Sequence, residues 1–155
     1  MSDLETNKQI VHVESPKERY LLHYGEGFRL ETLPVGTRVI YSPPPLPAIQ
    51  DVDKAIDEAL ENPLDADPLS AQLKPGMRVT IAFDDISITL PPMKPPDLRK
   101  IIIEKVLEKL AERGVEDVHL IAALGLHRRM TPKELKSILG SKIFDTFYPD
   151  KLYNF

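Results

Sequence analysis

The chain has 155 residues, 42% of them hydrophobic and 28% charged, with no cysteine and a formal net charge of −4. A chain of this length fits one domain that buries about 68–70% of its unfolded surface, so a wholly disordered protein is excluded. The missing cysteine removes disulfides, thiolate nucleophiles and cysteine-based zinc sites, and the lack of a basic excess argues against nucleic acid. No apolar run reaches the roughly 18 residues of a membrane helix, and the first residues lack the basic and apolar regions of a secretory leader. A soluble cytoplasmic protein is the expectation. Proline is the outlier: 15 residues, about twice the usual ~5% share, which calls for many ordered loops.

Residues 1–19 are polar and without sustained periodicity, and read as a mobile arm ahead of one domain over 20–155. Ile10, Val11 and Val13 are the one candidate strand within the arm. Residues 20–24 read as an extended segment, turning at Gly25-Glu-Gly27. Residues 28–33 alternate apolar and polar, the mark of a half-buried strand. Residues 38–41 form another short strand candidate. The prolines at 43, 44, 45 and 47 exclude helix interior and central strand, leaving an extended connector.

Val52, Ala55, Ile56, Ala59 and Leu60 fall on one helical stripe, with Asp51 as N-cap and Asn62-Pro63 as the stop. Residues 78–83 spell a buried strand that ends abruptly in Asp84-Asp85. After a proline-rich loop, Asp97 caps a helix to about Arg113, whose buried face is expected at Leu98, Ile102, Val106 and Leu110, widened by Ile101, Ile103 and Leu107. Residues 118–124 are a second buried strand. Thr131-Pro-Lys-Glu134 joins an N-cap threonine, a proline at N1 and a glutamate at N3. That helix is expected to end at Gly140. Strand, helix, strand over 78–124 implies a right-handed crossover and two parallel strands. The expected fold class is α/β: a Rossmann-like parallel βαβ core with helices packed on the sheet, in three layers or nearly so.

Both strands of a parallel pair end at the same sheet edge. Asp84-Asp85 follows the first and His127-Arg128-Arg129 follows the second, so side chains of the two loops should lie within about 10 Å, given strands ~5 Å apart. Ligands of open α/β sheets bind outside the carboxyl ends of strands, and the helix start at Thr131 favours an anion. Histidine takes and returns a proton near neutrality. Each feature also has an ordinary structural explanation. A loop histidine can satisfy a backbone carbonyl, loop aspartates can cap N–H groups, and one of the two arginines can be solvated surface. Of Asp84 and Asp85, one is assigned a function. His119, inside a strand, reads as structural. No metal-ligand spacing exists within the chain.

Taken together, several segments resemble the N-terminal domain of the nickel-pincer lactate racemase family. They are Tyr24-Gly-Glu-Gly27, Glu58-Ala-Leu-Glu-Asn-Pro63, Lys74-Pro-Gly-Met-Arg-Val-Thr-Ile-Ala-Phe-Asp-Asp85, Ala123-Leu-Gly-Leu-His-Arg128, Thr131-Pro-Lys-Glu134 and Ile138-Leu-Gly140. The Gly-x-His-Arg piece is the most specific. The resemblance implies a racemase or epimerase of 2-hydroxy acids that uses a nickel-pincer nucleotide. In that family a histidine removes the hydroxyl proton while hydride passes to the cofactor ring, and hydride then returns to the opposite face. His127 matches that histidine, with Asp85 beside it as the second catalytic residue. Arg128, Asp84 and Ser87 are the implied substrate-facing residues for a small 2-hydroxy acid or related anion.

Two departures qualify the resemblance. Ile88 stands where the family has an arginine that holds the substrate carboxylate, which points away from lactate. The family's second histidine, cofactor-tethering lysine and nickel-binding histidine come after the point where this chain stops. The chain therefore reads as a truncated member, expected to be inactive in isolation. The alternative is a non-catalytic anion-binding module of the same fold. A hydrolase built on Asp85 and His127 ranks last, because Ser87 sits in no strained glycine elbow.

Overall fold

The computed structural model describes residues 9–25, 27–86 and 93–155. The chain divides into two compact units, Met1–Ala48 and Ile49–Phe155. In the first, β1 (Ile10–His12) pairs antiparallel with β4 (Arg38–Ile40). The hairpin of β2 (Arg19–Tyr24) and β3 (Gly27–Thr32) sets Leu21 opposite Leu30. Val13, Tyr20 and Val39 form the buried core, flanked by Leu22 and Leu33. This differs from the expected arm over 1–19. Ile10–His12 is a strand and Val13 is core, and the division falls after Ala48. A three-residue strand is too short to show alternation, and its partner lies in a distant stretch of sequence.

The second unit holds the parallel sheet. Its strands are β5 (Arg78–Asp84), β6 (Asp117–Ala123) and β7 (Leu152–Asn154), in the order β5-β6-β7. Thr80 lies opposite His119, Asp84 opposite Ala123, and Leu120 opposite Leu152. The helices are α1 (Val52–Glu61), α2 (Leu69–Gln72), α3 (Leu98–Glu112) and α4 (Pro132–Phe147). The α/β class and the parallel βαβ core are as the sequence predicts. The strand β7 and the one-turn α2 are additions, both too short to carry a period. Among the described residues no helix is long and apolar enough to cross a membrane.

Alternation along the strands fixes which face the helices cover. Val118, Leu120 and Ala122 are buried, and Phe83 and Leu120 share a cluster with Ile103 of α3 and Leu135, Leu139 and Ile143 of α4. On the opposite face Thr80, Ala82 and Asp84 are exposed. The strand order advances without reversing, so crossovers of one hand leave α3 and α4 on the same face. These residues therefore build two layers, and the expected third layer is not formed by them.

Two helix expectations also change. The buried face of α3 runs through Ile103 and Leu110, whereas Leu98 and Ile102 are exposed. The chain does break helix at Gly140, with φ 75° and ψ 163°, but it resumes helix afterwards to Phe147. That backbone region is essentially restricted to glycine.

Candidate functional site

Because β5 and β6 pair in parallel with Asp84 opposite Ala123, the segments that follow leave the sheet side by side. Asp85 is the first residue after β5, and its side chain is only 3% exposed. His127 sits in the turn after β6, where its N–H donates to the Leu124 carbonyl at 3.0 Å. Gly125 makes that turn possible with φ +58°. The imidazole Nδ1 lies 3.0 Å from Asp85 Oδ2 and 3.3 Å from Oδ1. The expected approach of the two loops is thus met by direct contact.

The pair has a defined polarity. A carboxylate only accepts, so Nδ1 carries the proton and a neutral imidazole then presents Nε2 as an acceptor. The imidazole is 45% exposed while its carboxylate partner is buried. One side of the pair is therefore fixed in protein and the other is open to a ligand.

The loop is anchored at its far end as well. Asn154 of β7 accepts from the Met130 N–H at 3.1 Å and donates to the Met130 carbonyl at 2.9 Å. Met130 is buried. The side chain of Asn154 thus acts as one rung of backbone pairing.

The remaining site residues are placed differently. Asp84 is 73% exposed and lies 3.5 Å from the Arg99 guanidinium. Arg128 donates to both oxygens of Glu134, at 2.8 and 3.0 Å, and to the Arg129 carbonyl. Glu134 in turn accepts from the Thr131 N–H at 2.8 Å, completing the capping box at the start of α4. The Arg128 guanidinium, aided by Thr131, holds the Glu134 carboxyl down at about 2. The anion at this helix end is therefore the chain's own Glu134. Ser87, Ile88 and Glu26 lie outside the described residues. Among the described residues, no three His, Cys, Asp or Glu side chains gather where they could hold a metal ion.

Residues 24–154 match the family of the lactate racemase N-terminal domain. The chain belongs to that family. The lactate racemase apoprotein from Thermoanaerobacterium thermosaccharolyticum has a similar solved structure, with a TM-score of 0.53 and 18% identity. That similarity covers 88% of this chain, which spans 30% of the length of that one. At this identity the likeness shows the fold. No curated protein sequence matches the chain.

Within this lactate racemase N-terminal domain, one residue of the edge was not anticipated. Arg99, in the first turn of α3, donates to the Asp85 carbonyl at 2.9 Å and to the Asp84 carbonyl at 3.3 Å. The available signal was its place two residues after the cap Asp97, on the crossover helix that starts beside the end of β5.

Proposed function

We propose that the end of β5 and β6 is the proton-handling edge of a racemase or epimerase of 2-hydroxy acids. His127 is the base and Asp85 orients it. The observation that carries this is the Asp85–His127 pair itself, a buried carboxylate 3.0 Å from a half-exposed imidazole. Nε2 takes the substrate hydroxyl proton and Asp85 stabilises the imidazolium that results. A carboxylate held against Nδ1 stabilises the protonated ring and fixes the tautomer, the two requirements of a histidine base.

Asp84, Arg128 and Ser87 are the proposed substrate-facing residues. Arg128 must release Glu134 before it can meet a substrate carboxylate. Ile88, in place of the family arginine, supports a substrate other than lactate.

The family resemblance implies a nickel-pincer nucleotide as the hydride acceptor. The described residues do not fit a nickel shell, since no suitable donor cluster exists among them. The function proposed for this chain is accordingly confined to the substrate's proton. The anion-binding alternative has less support, because the helix end it needs is filled by Glu134.

The test is the racemisation rate of 2-hydroxy acids by the full-length, cofactor-loaded protein, with His127→Ala against the wild type. The variant should lose about 10²–10⁴-fold, the usual contribution of a general base. Equal rates would remove His127 from the mechanism and leave Asp85 as the first candidate.

A further inference from the structure

The Asp85–His127 pair depends on where the main chain leaves β5, and one largely covered cation holds that point. Arg99 is 10% exposed and Asp97 12% exposed. Asp97 caps α3 by accepting the Arg99 N–H at 2.9 Å. The same carboxylate takes Arg99 Nε at 2.9 Å and Nη2 at 2.7 Å. This two-pronged contact fixes the guanidinium plane against the start of the helix. Nη1 is left to face the strand end, where it reaches the carbonyls of Asp84 and Asp85.

We propose that Arg99 is the positioning residue of this edge. It sets the backbone of Asp84-Asp85 and, through the Asp85 carboxylate, the tautomer of His127. The proposal rests on the reading of His127 as the base, because it concerns which ring nitrogen is kept free.

The contacts to the Asp84 and Asp85 carbonyls, at 3.3 and 2.9 Å, restrict the peptide that carries the Asp85 side chain and so fix the point from which its carboxylate reaches Nδ1. A lysine would supply the charge without the planar fork. It could not hold Asp97 through two bonds and present a third donor to the strand end in a fixed direction.

The experiment is a two-bond proton–nitrogen correlation spectrum of the ¹⁵N-labelled chain, taken at about pH 8.5, two units above the free-imidazole value. Nitrogen shifts distinguish a protonated from a bare ring nitrogen. In the wild type His127 should be mainly Nδ1–H. In Arg99→Lys the ratio of Nδ1–H to Nε2–H should fall roughly tenfold, the equivalent of one weakened charge-assisted hydrogen bond.

His119, at the other end of β6, serves as the internal measure of an intact sheet. An unchanged His127 ratio in a folded Arg99→Lys chain overturns the proposal. Should that variant unfold, Asp97→Asn decides, since asparagine keeps the cap while loosening the guanidinium. The ratio should fall there too, by less, and no change overturns the proposal. Mainly Nε2–H in the wild type would defeat the His127 reading itself, a separate result from failure of Arg99 alone.

Discussion

At the start of α4, Glu134 accepts from the Thr131 N–H and hydroxyl and from both ends of the Arg128 guanidinium. Its folded pKa lies at about 2, below the ordinary 4.5. A carboxyl depressed in the folded state adds stability above its ordinary value, and that contribution disappears as pH falls from 4.5 towards 2. Glu134→Gln should therefore flatten this part of the acid limb, as read from thermal midpoints at several pH values. Parallel curves for the two proteins would show that the ion pair adds nothing. Thr131→Ala should lower stability by about 1 kcal/mol through loss of the cap, seen as a lower denaturant midpoint at constant slope. The cap was legible from Thr131-Pro-Lys-Glu134 alone. The use of Arg128 was not, because residues six apart meet only through the loop's conformation, which no helical spacing encodes.

Among elements, α4 is the most constrained by a single position. A Cβ on Gly140 would meet the Lys100 Cε at 2.9 Å, and φ is +75°. The lysine end can move, but the backbone region strongly disfavours any side chain. Gly140→Ala should cost about 1–3 kcal/mol, and adding Lys100→Ala should recover little of it. Full recovery in the double variant would place the cost in the contact instead. The sequence showed the break at Gly140 but not the helix that continues beyond it to Phe147. The parallel pair β5–β6 was legible because its strands, each seven residues long, are rich in apolar residues and bounded by clear breakers. The face of α3 was not, since Ile101, Ile102 and Ile103 are consecutive and leave its rotation undetermined. Packing against Leu120 and Leu139 selects Ile103.

For the whole molecule, the division between Ala48 and Ile49 predicts two unequal folding units. Residues 49–155 hold the sheet, its helices and the larger clusters, whereas the described part of 1–48 buries only Val13, Tyr20 and Val39. A fragment of 49–155 should fold by itself with a cooperative thermal transition and keep the Asp85–His127 contact. Residues 1–48 alone should lack a cooperative transition, since so small a core cannot offset chain entropy. Loss of cooperative melting in the 49–155 fragment would show that the units are thermodynamically one. This division was illegible from composition, because the proline connector signals an ordered loop whether or not a boundary follows it.

The side-chain rung from Asn154 to Met130 links the imidazole loop to the shortest strand of the sheet. β7 is held by Leu152 and by neighbouring main-chain bonds, including Leu124 N–H to the Phe155 carbonyl at 2.8 Å. Freeing the loop at Met130 therefore means breaking contact with a strand that can fray locally without unfolding the rest. The Met130 and Leu124 amides should exchange with solvent at matching free energies, well below those of amides bridging β5 and β6. A shift of the loop must therefore break the two Asn154–Met130 bonds, by rotation of the amide or by peeling of β7 itself.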